Sequence, residues 1–259
     1  MPSVDPTLTT TLTANLRRLG LADTASGLDD LIARATRARW SPTVLLDTLV
    51  QAELDARAHR RLERQLQAAR LGRFKPLADF DWAWPKHLDR ATVDRVFSLD
   101  FIAKAENVVL VAAQGLGKTM LTKNLLHQAV LAGHSALFIT ASDLLLDLSG
   151  QDTSRALERR LRAYARPQLL AIDEIGYLSY DARAADLLFQ VISRRYEQRA
   201  TVVTTNLLFT QWDTVFPNAS CAVALIDRLT HHAEIIPIEG ASYRKREADL
   251  TQKTRRATP

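Results

Sequence analysis

Short unbroken apolar runs alternate along this chain with longer segments whose apolar residues recur every three or four positions. That alternation predicts buried strands separated by amphipathic helices. The runs are Asn107-Val108-Val109-Leu110-Val111, Ser135 to Thr140, Gln168 to Ile172, Ala200 to Asn206 and Ala233 to Ile238. Helical spacing follows the first run from Met120 to His127, with Gly133 placed to end that helix, and recurs at Ser142 to Leu148, Ser154 to Ala165 and Ala182 to Arg199. Strands that are apolar throughout are buried on both faces, so a mainly parallel sheet covered by helices is expected.

Upstream of Asn107 the pattern is helical only. Leu8, Leu12, Leu16 and Leu19 mark one helix ending at Gly20, and Leu28, Leu31 and Ile32 share a face of a second from about Ser26 to Arg39. Ser41 as N-cap and Pro42 at the first helical position start a third, which meets no Gly or Pro before about Arg70. Its early part is apolar (Val44, Leu45, Leu46, Leu49, Val50), and Gly72 and Pro76 end it. Phe80-Asp81-Trp82-Ala83-Trp84-Pro85 reads as a linker, and Asp89 to Ala105 as a helix leading into the first strand. The expected division is a helical N-terminal domain over 1–76, a linker and lead-in helix over 77–106, an α/β domain over 107–243 and a basic, flexible tail over 244–259.

Between the first strand and its helix lies Ala112-Ala113-Gln114-Gly115-Leu116-Gly117-Lys118-Thr119. In a strand, loop and helix of this kind the loop amides and the free N–H groups of the first helical turn, here reaching Met120, converge on an anion. Lys118 is the candidate for the terminal phosphates and Thr119 for Mg²⁺, so the loop reads as a site for ATP. The strict motif has Gly where this chain has Ala112, and a loop needing positive φ there would be strained. A second apolar run ends in Asp173-Glu174: the first carboxylate is the candidate on the metal side, the second the candidate general base that polarises water. Asn206, at the polar tip of the Ala200 run, is either a turn former or a residue placed between these two strands to sense the γ-phosphate.

The composition of 259 residues, 47% hydrophobic and 24% charged, provides for a substantial core. No stretch of about eighteen apolar residues and no signal peptide is found, which leads to an expectation of a cytoplasmic protein with no membrane partner. Cys221 is the single cysteine, so an internal disulfide and a Cys-rich zinc site are excluded, and a small apolar filler is expected there. The net charge of +5 favours a polyanionic partner. Much of it sits in Arg57, Arg60, Arg61, Arg64, Arg70, Arg73 and Lys75, against the single acid Glu63. Such a stretch is either a solvated helix face or a surface that would repel itself without a phosphate backbone beside it. The linker aromatics either pin the linker to its domain or stack on bases.

Leu169 to Leu178 (LLAIDEIGYL), Leu188 to Glu197 (LFQVISRRYE), Thr204-Thr205-Asn206, Ile226-Asp227-Arg228-Leu229 with His231-His232, and Gly240-Ala241-Ser242-Tyr243-Arg244 together resemble the IstB family. These are ATP-binding helpers of bacterial insertion sequences, AAA+ ATPases related to the DnaC helicase loaders, and the resemblance runs from about Leu12 to Arg244. It implies an α/β AAA+ P-loop fold with a five-stranded parallel sheet, self-assembly on duplex DNA as a homo-oligomer, ATP sites completed by a neighbouring subunit, and a cognate transposase as partner. Asn206 becomes the first sensor and Arg228 the candidate arginine finger. Arg194 and Arg195 fit either a subunit boundary or a solvated face. Two departures stand out: many relatives have Gly-Pro where this chain has Ala112-Ala113, and the few residues after the last strand leave no room for a full helical lid, so Arg244 is a weak second sensor. The function implied is an ATP-dependent transposition regulator. A helicase loader preferring single strands is the alternative, and Ala112 motivates a third reading, an ATPase that binds without turnover.

Overall fold

The computed structural model describes residues 6–177, 179–216 and 219–246. By its internal contacts the chain divides into two compact units, residues 1–64 and 65–259. The first contains α1 (Pro6–Arg18), α2 (Ala22–Ser26), α3 (Leu28–Ala38) and most of α4 (Pro42–Ala68). Leu16, Ala25 and Leu28 make a small core with Leu21 and Ile32 against it. The start signal for α4 works as its chemistry requires: the Ser41 hydroxyl accepts a hydrogen bond from the Val44 N–H at 3.3 Å. The helix expected from about Ser26 to Arg39 is α3, starting after Gly27, and the short α2 before it was not expected from the sequence.

The basic end of α4 is shorter than expected. The helix stops at Ala68, Arg70 adopts φ +55° and Gly72 φ +60°, so Arg70, Arg73 and Lys75 lie beyond it on irregular chain. This turn lays the Ala69 carbonyl against the sheet, where it accepts from the Phe138 N–H at 2.9 Å. The acceptor serves the outer strand of the sheet, whose edge would otherwise be open.

The second unit is built on β1 (Asn107–Ala112), β2 (Ala136–Thr140), β3 (Leu169–Ile175), β4 (Ala200–Thr205) and β5 (Ala233–Ile238), in the order β2-β3-β4-β1-β5. Every pairing is parallel. Parallel neighbours need crossovers, and these are the helices α7 (Lys118–Leu131), α8 (Ala141–Ser149), α9 (Ser154–Ala165), α10 (Ala182–Arg195) and α11 (Ala219–Thr230). Strands β1 and β4 are buried at every position, β1 as its apolar run foretold and β4 with Thr201, Thr204 and Thr205 buried as well. Ile172, Leu188, Val191, Val203 and Leu225 belong to the main core.

Ahead of β1, the single helix expected from Asp89 to Ala105 is two: α5 (Arg90–Phe97) and α6 (Asp100–Ala103). Leu99 sits between them at φ +69° and turns inward to 8% exposure. The Asp89 side chain caps α5 through the Ala91 N–H at 3.0 Å. After β5 the described chain holds one helical turn, 243–246, and the expectation of a flexible tail falls mostly on 247–259, outside the described residues. Among the described residues, no helix is long and apolar enough to cross a membrane.

Candidate nucleotide site

Because β4 lies between β1 and β3, the loop after β1, the acidic pair of β3 and the tip of β4 meet at one end of the sheet. A cavity of about 410 Å³ opens there, a volume suited to a small-molecule ligand. Gln114, Gly115, Leu116, Gly117, Lys118 and Thr119 line one side, with Met120 beside them. Glu174, Asn206 and Arg244 line it from other segments, so the structure brings together residues that lie far apart in the chain. Tyr177 and Tyr243 also line it, and these the motif reading passed over.

The loop takes its shape from two glycines. Gly115 (φ +81°) and Gly117 (φ +89°) occupy the left-handed region that a Cβ disfavours. A Cβ on Gly117 would lie 2.6 Å from the Phe80 ring, and one on Gly115 would collide with the Ser242 hydroxyl. Ala112 and Ala113 are outside that region, and Ala112 is a paired strand residue opposite Ile238. The strain anticipated at Ala112 is therefore absent, because the loop makes its tight turns three and five residues later. Neither alanine lines the cavity; instead their carbonyls receive the Lys118 ammonium, at 2.5 Å from Ala112 and 3.0 Å from Ala113.

Burial pushes the Lys118 amine below its ordinary value, against the pull of Asp173 and Glu174 that raises it. Asp173 is 3% exposed and its two oxygens are divided: Oδ2 accepts from Thr119 Oγ1 at 2.8 Å and Oδ1 from Thr204 Oγ1 at 2.5 Å. Thr204 also accepts from the Glu174 N–H at 2.9 Å. Thr204 is a site residue that the sequence reading missed; its signal was a hydroxyl one residue inside the polar tip of an otherwise apolar strand. Glu174 adopts φ +64° where the pairing of β3 with β4 shifts register, and it is exposed toward the cavity. The paired Thr hydroxyl and carboxylate are hard oxygen donors, the kind Mg²⁺ takes, so these residues fit that ion.

The linker forms another side. Phe80 is buried against Gly117, Trp84 Nε1 donates to the Ala241 carbonyl at 2.7 Å, and the Tyr243 N–H donates to the Gly115 carbonyl at 2.9 Å. Arg246 lies over the Trp84 ring at 4.3 Å and pairs with Asp81 at 3.0 Å. The aromatics therefore pin the linker to its own domain.

Other candidates lie elsewhere. Arg228 does not line the cavity; its guanidinium lies 4.2 Å from the centre of the Phe189 ring, on an α11 end held by Asn107 Nδ2 donating to the carbonyls of Arg228 and Leu229. Arg194 pairs with Glu158. Arg195 is on neither a boundary nor a solvated face: it is 1% exposed and donates to four carbonyls and the Thr201 hydroxyl. Of the basic stretch, Arg57 pairs with Glu53, and Arg60 with Asp23 and Glu53, so two of the seven have acids of their own unit. Arg61, Arg64, Arg70 and Arg73 are exposed, and Lys75 lines the cavity.

Residues 14–251 match the sequence profile of the IstB-like ATP binding protein family. An ATP-binding protein of insertion sequence IS232 from Bacillus thuringiensis subsp. berliner is 35% identical over 233 residues, 90% of this chain and 93% of that protein. One of insertion sequence IS21 from Pseudomonas aeruginosa is 34% identical over 232 residues, 90% and 88% of the two chains. Among solved structures the DnaI crystal structure superposes with a TM-score of 0.53 at 21% identity, over 64% of this chain and 89% of that one. The replication initiator DnaA bound to AMPPCP and single-stranded DNA gives 0.51 at 15% identity, over 68% and 56%. These likenesses agree with the parallel sheet and loop in giving an AAA+ P-loop fold. The chain belongs to the IstB-like family of ATP-binding proteins of insertion sequences.

Proposed function

We propose that this chain is an ATPase that assembles on duplex target DNA in its ATP-bound form, recruits or activates the cognate transposase, and is reset by hydrolysis. The observation that carries the reading is the cavity in which Lys118, Thr119, Glu174 and Asn206 converge while Arg228 does not. Lys118, held by the loop's own carbonyls, exchanges them for the β- and γ-phosphate oxygens. Thr119 and Asp173 would hold Mg²⁺, which would neutralise charge on the phosphates. Glu174 accepts the proton of the attacking water, and Asn206 orients that water or the γ-phosphate. Lys75, on the cavity wall, adds a cation for the nucleotide rather than for DNA.

Arg228 serves the site of a neighbouring copy, where an arginine in trans is worth on the order of 10³-fold in rate or more. Self-association draws on the exposed stripe Leu46, Val50 and Leu54, which recur at every fourth position of α4. Arg61, Arg64, Arg70 and Arg73 meet the DNA phosphates, giving affinity and salt dependence rather than sequence choice.

The test combines turnover with DNA binding. Lys118→Ala and Arg228→Ala should each be inactive alone, and mixing them should restore part of the ATPase activity, because a mixed interface pairs an intact loop with an intact Arg228. Unrestored mixtures, or an Arg228→Ala protein as fast as the parent, would remove the inter-subunit site. Duplex binding should be cooperative, salt-sensitive and dependent on ATP. A preference for single strands would turn the reading toward a helicase loader.

A further inference from the structure

Away from the cavity, the C-terminal ends of α10 and α11 bring Glu197, His231 and His232 together on the surface. Glu197 Oε1 lies 3.7 Å from His231 Nδ1 and 3.7 Å from His232 Nε2. The two imidazole rings are 4.0 Å apart between centroids, and one donor atom from each of the three residues falls within 4.8 Å of the others. The Tyr196 hydroxyl shares a 2.6 Å hydrogen bond with His231 Nδ1. Asp227 and Arg228, one turn earlier on α11, act on Tyr196 with opposite sign.

Three features distinguish this cluster from three polar side chains that happen to share a surface. Two imidazole nitrogens and a carboxylate oxygen are a zinc donor set, and a tetrahedral ion with bonds of about 2.0–2.1 Å holds its donors roughly 3.3–3.5 Å apart, a few tenths of an ångström inside the two 3.7 Å spacings from Glu197 to the histidines. Glu197 is presented from φ +56°, a backbone region that glutamate rarely adopts, so its direction is imposed by the end of α10. Both contributing helices end here, and the negative end of a helix dipole favours a cation.

We propose that Glu197, His231 and His232 form a surface site for a divalent cation of the zinc class, with water completing the coordination. The ion replaces the Tyr196 hydrogen bond on His231 Nδ1 and ties the end of α10 to the end of α11. Since α11 carries Arg228, occupancy stiffens the segment that presents this arginine. The site itself stands whether or not Arg228 acts in trans.

The experiment uses the full chain without nucleotide, which itself binds zinc. Zn²⁺ is titrated by calorimetry and by competition with a chromophoric chelator, and Co²⁺ is added as a spectroscopic probe. One equivalent is expected, with a tetrahedral Co²⁺ absorption band that Zn²⁺ displaces. His231→Ala and His232→Ala should each weaken Zn²⁺ by about ten-fold or more, since each removes one of only three protein ligands. His59→Ala, which alters another exposed His-carboxylate pair, with Glu63, should leave binding unchanged. Circular dichroism of each variant checks that the fold is kept. Equal Zn²⁺ affinity in the His231→Ala/His232→Ala double variant and the parent, or no stoichiometric binding by the parent, would overturn the assignment.

Discussion

A glutamate in the left-handed backbone region costs free energy unless its surroundings hold it there, and Glu174 is held through its own N–H by Thr204. The same hydroxyl donates to Asp173, so one buried side chain aligns both acids of the pair. Thr204→Val keeps the shape and removes the hydroxyl, leaving the Glu174 N–H and the buried Asp173 Oδ1 without this partner, and should cost about 1–3 kcal/mol in urea unfolding. Turnover should fall further than nucleotide affinity, because Glu174 loses its direction while the phosphate loop is untouched. A variant with parental kcat would reduce Thr204 to packing.

At the scale of elements, the junction of α9, α10 and β4 depends on Arg195. The helical pattern ran on to Arg199, but α10 ends at Arg195 because that side chain turns inward and satisfies the carbonyls of Tyr164, Ala165, Pro167 and Ala200. Burial pushes its guanidinium down to about 9, which leaves it charged at neutral pH. A charge buried without a carboxylate is tolerable only because five acceptors surround it. Arg195→Met orphans those acceptors and should lower the unfolding free energy by about 3 kcal/mol or more. Arg195→Lys should recover little, since a point ammonium cannot span the same acceptors.

Across the whole molecule, the two units rest on different physics. The second has a large apolar core; the first has a small one, supplemented by a buried carboxylate. Burial alone would raise Glu53, but hydrogen bonds from the Thr24 N–H and hydroxyl and from Arg57 hold it below its ordinary 4.5. A carboxylate with a lowered folded value stabilises above its unfolded value, and that contribution disappears as pH falls through the folded one. The helical unit should therefore weaken on acidification below about pH 4.5. Glu53→Gln should be less stable at pH 7 and show a smaller difference between pH 7 and pH 4 in urea unfolding. An unchanged difference would assign the acid sensitivity to other groups.

The local signals in the sequence determined the strands, the phosphate loop with Lys118 and Thr119, the Asp173-Glu174 pair and the Ser41-Pro42 helix start, because each depends on residues adjacent in the chain. Periodicity also gave α7 to α10 to within a few residues, but it overran Leu99 and Arg195, where a side chain turning inward ended the helix. Only the tertiary structure decided which long-range partners those residues have. It placed Phe80, Tyr243 and Lys75 at the cavity, gave Arg57 and Arg60 their acids, buried Arg195, and joined Glu197 to His231 and His232. Adjacency encodes backbone geometry, whereas burial and charge pairing arise from chain crossings that no local pattern specifies.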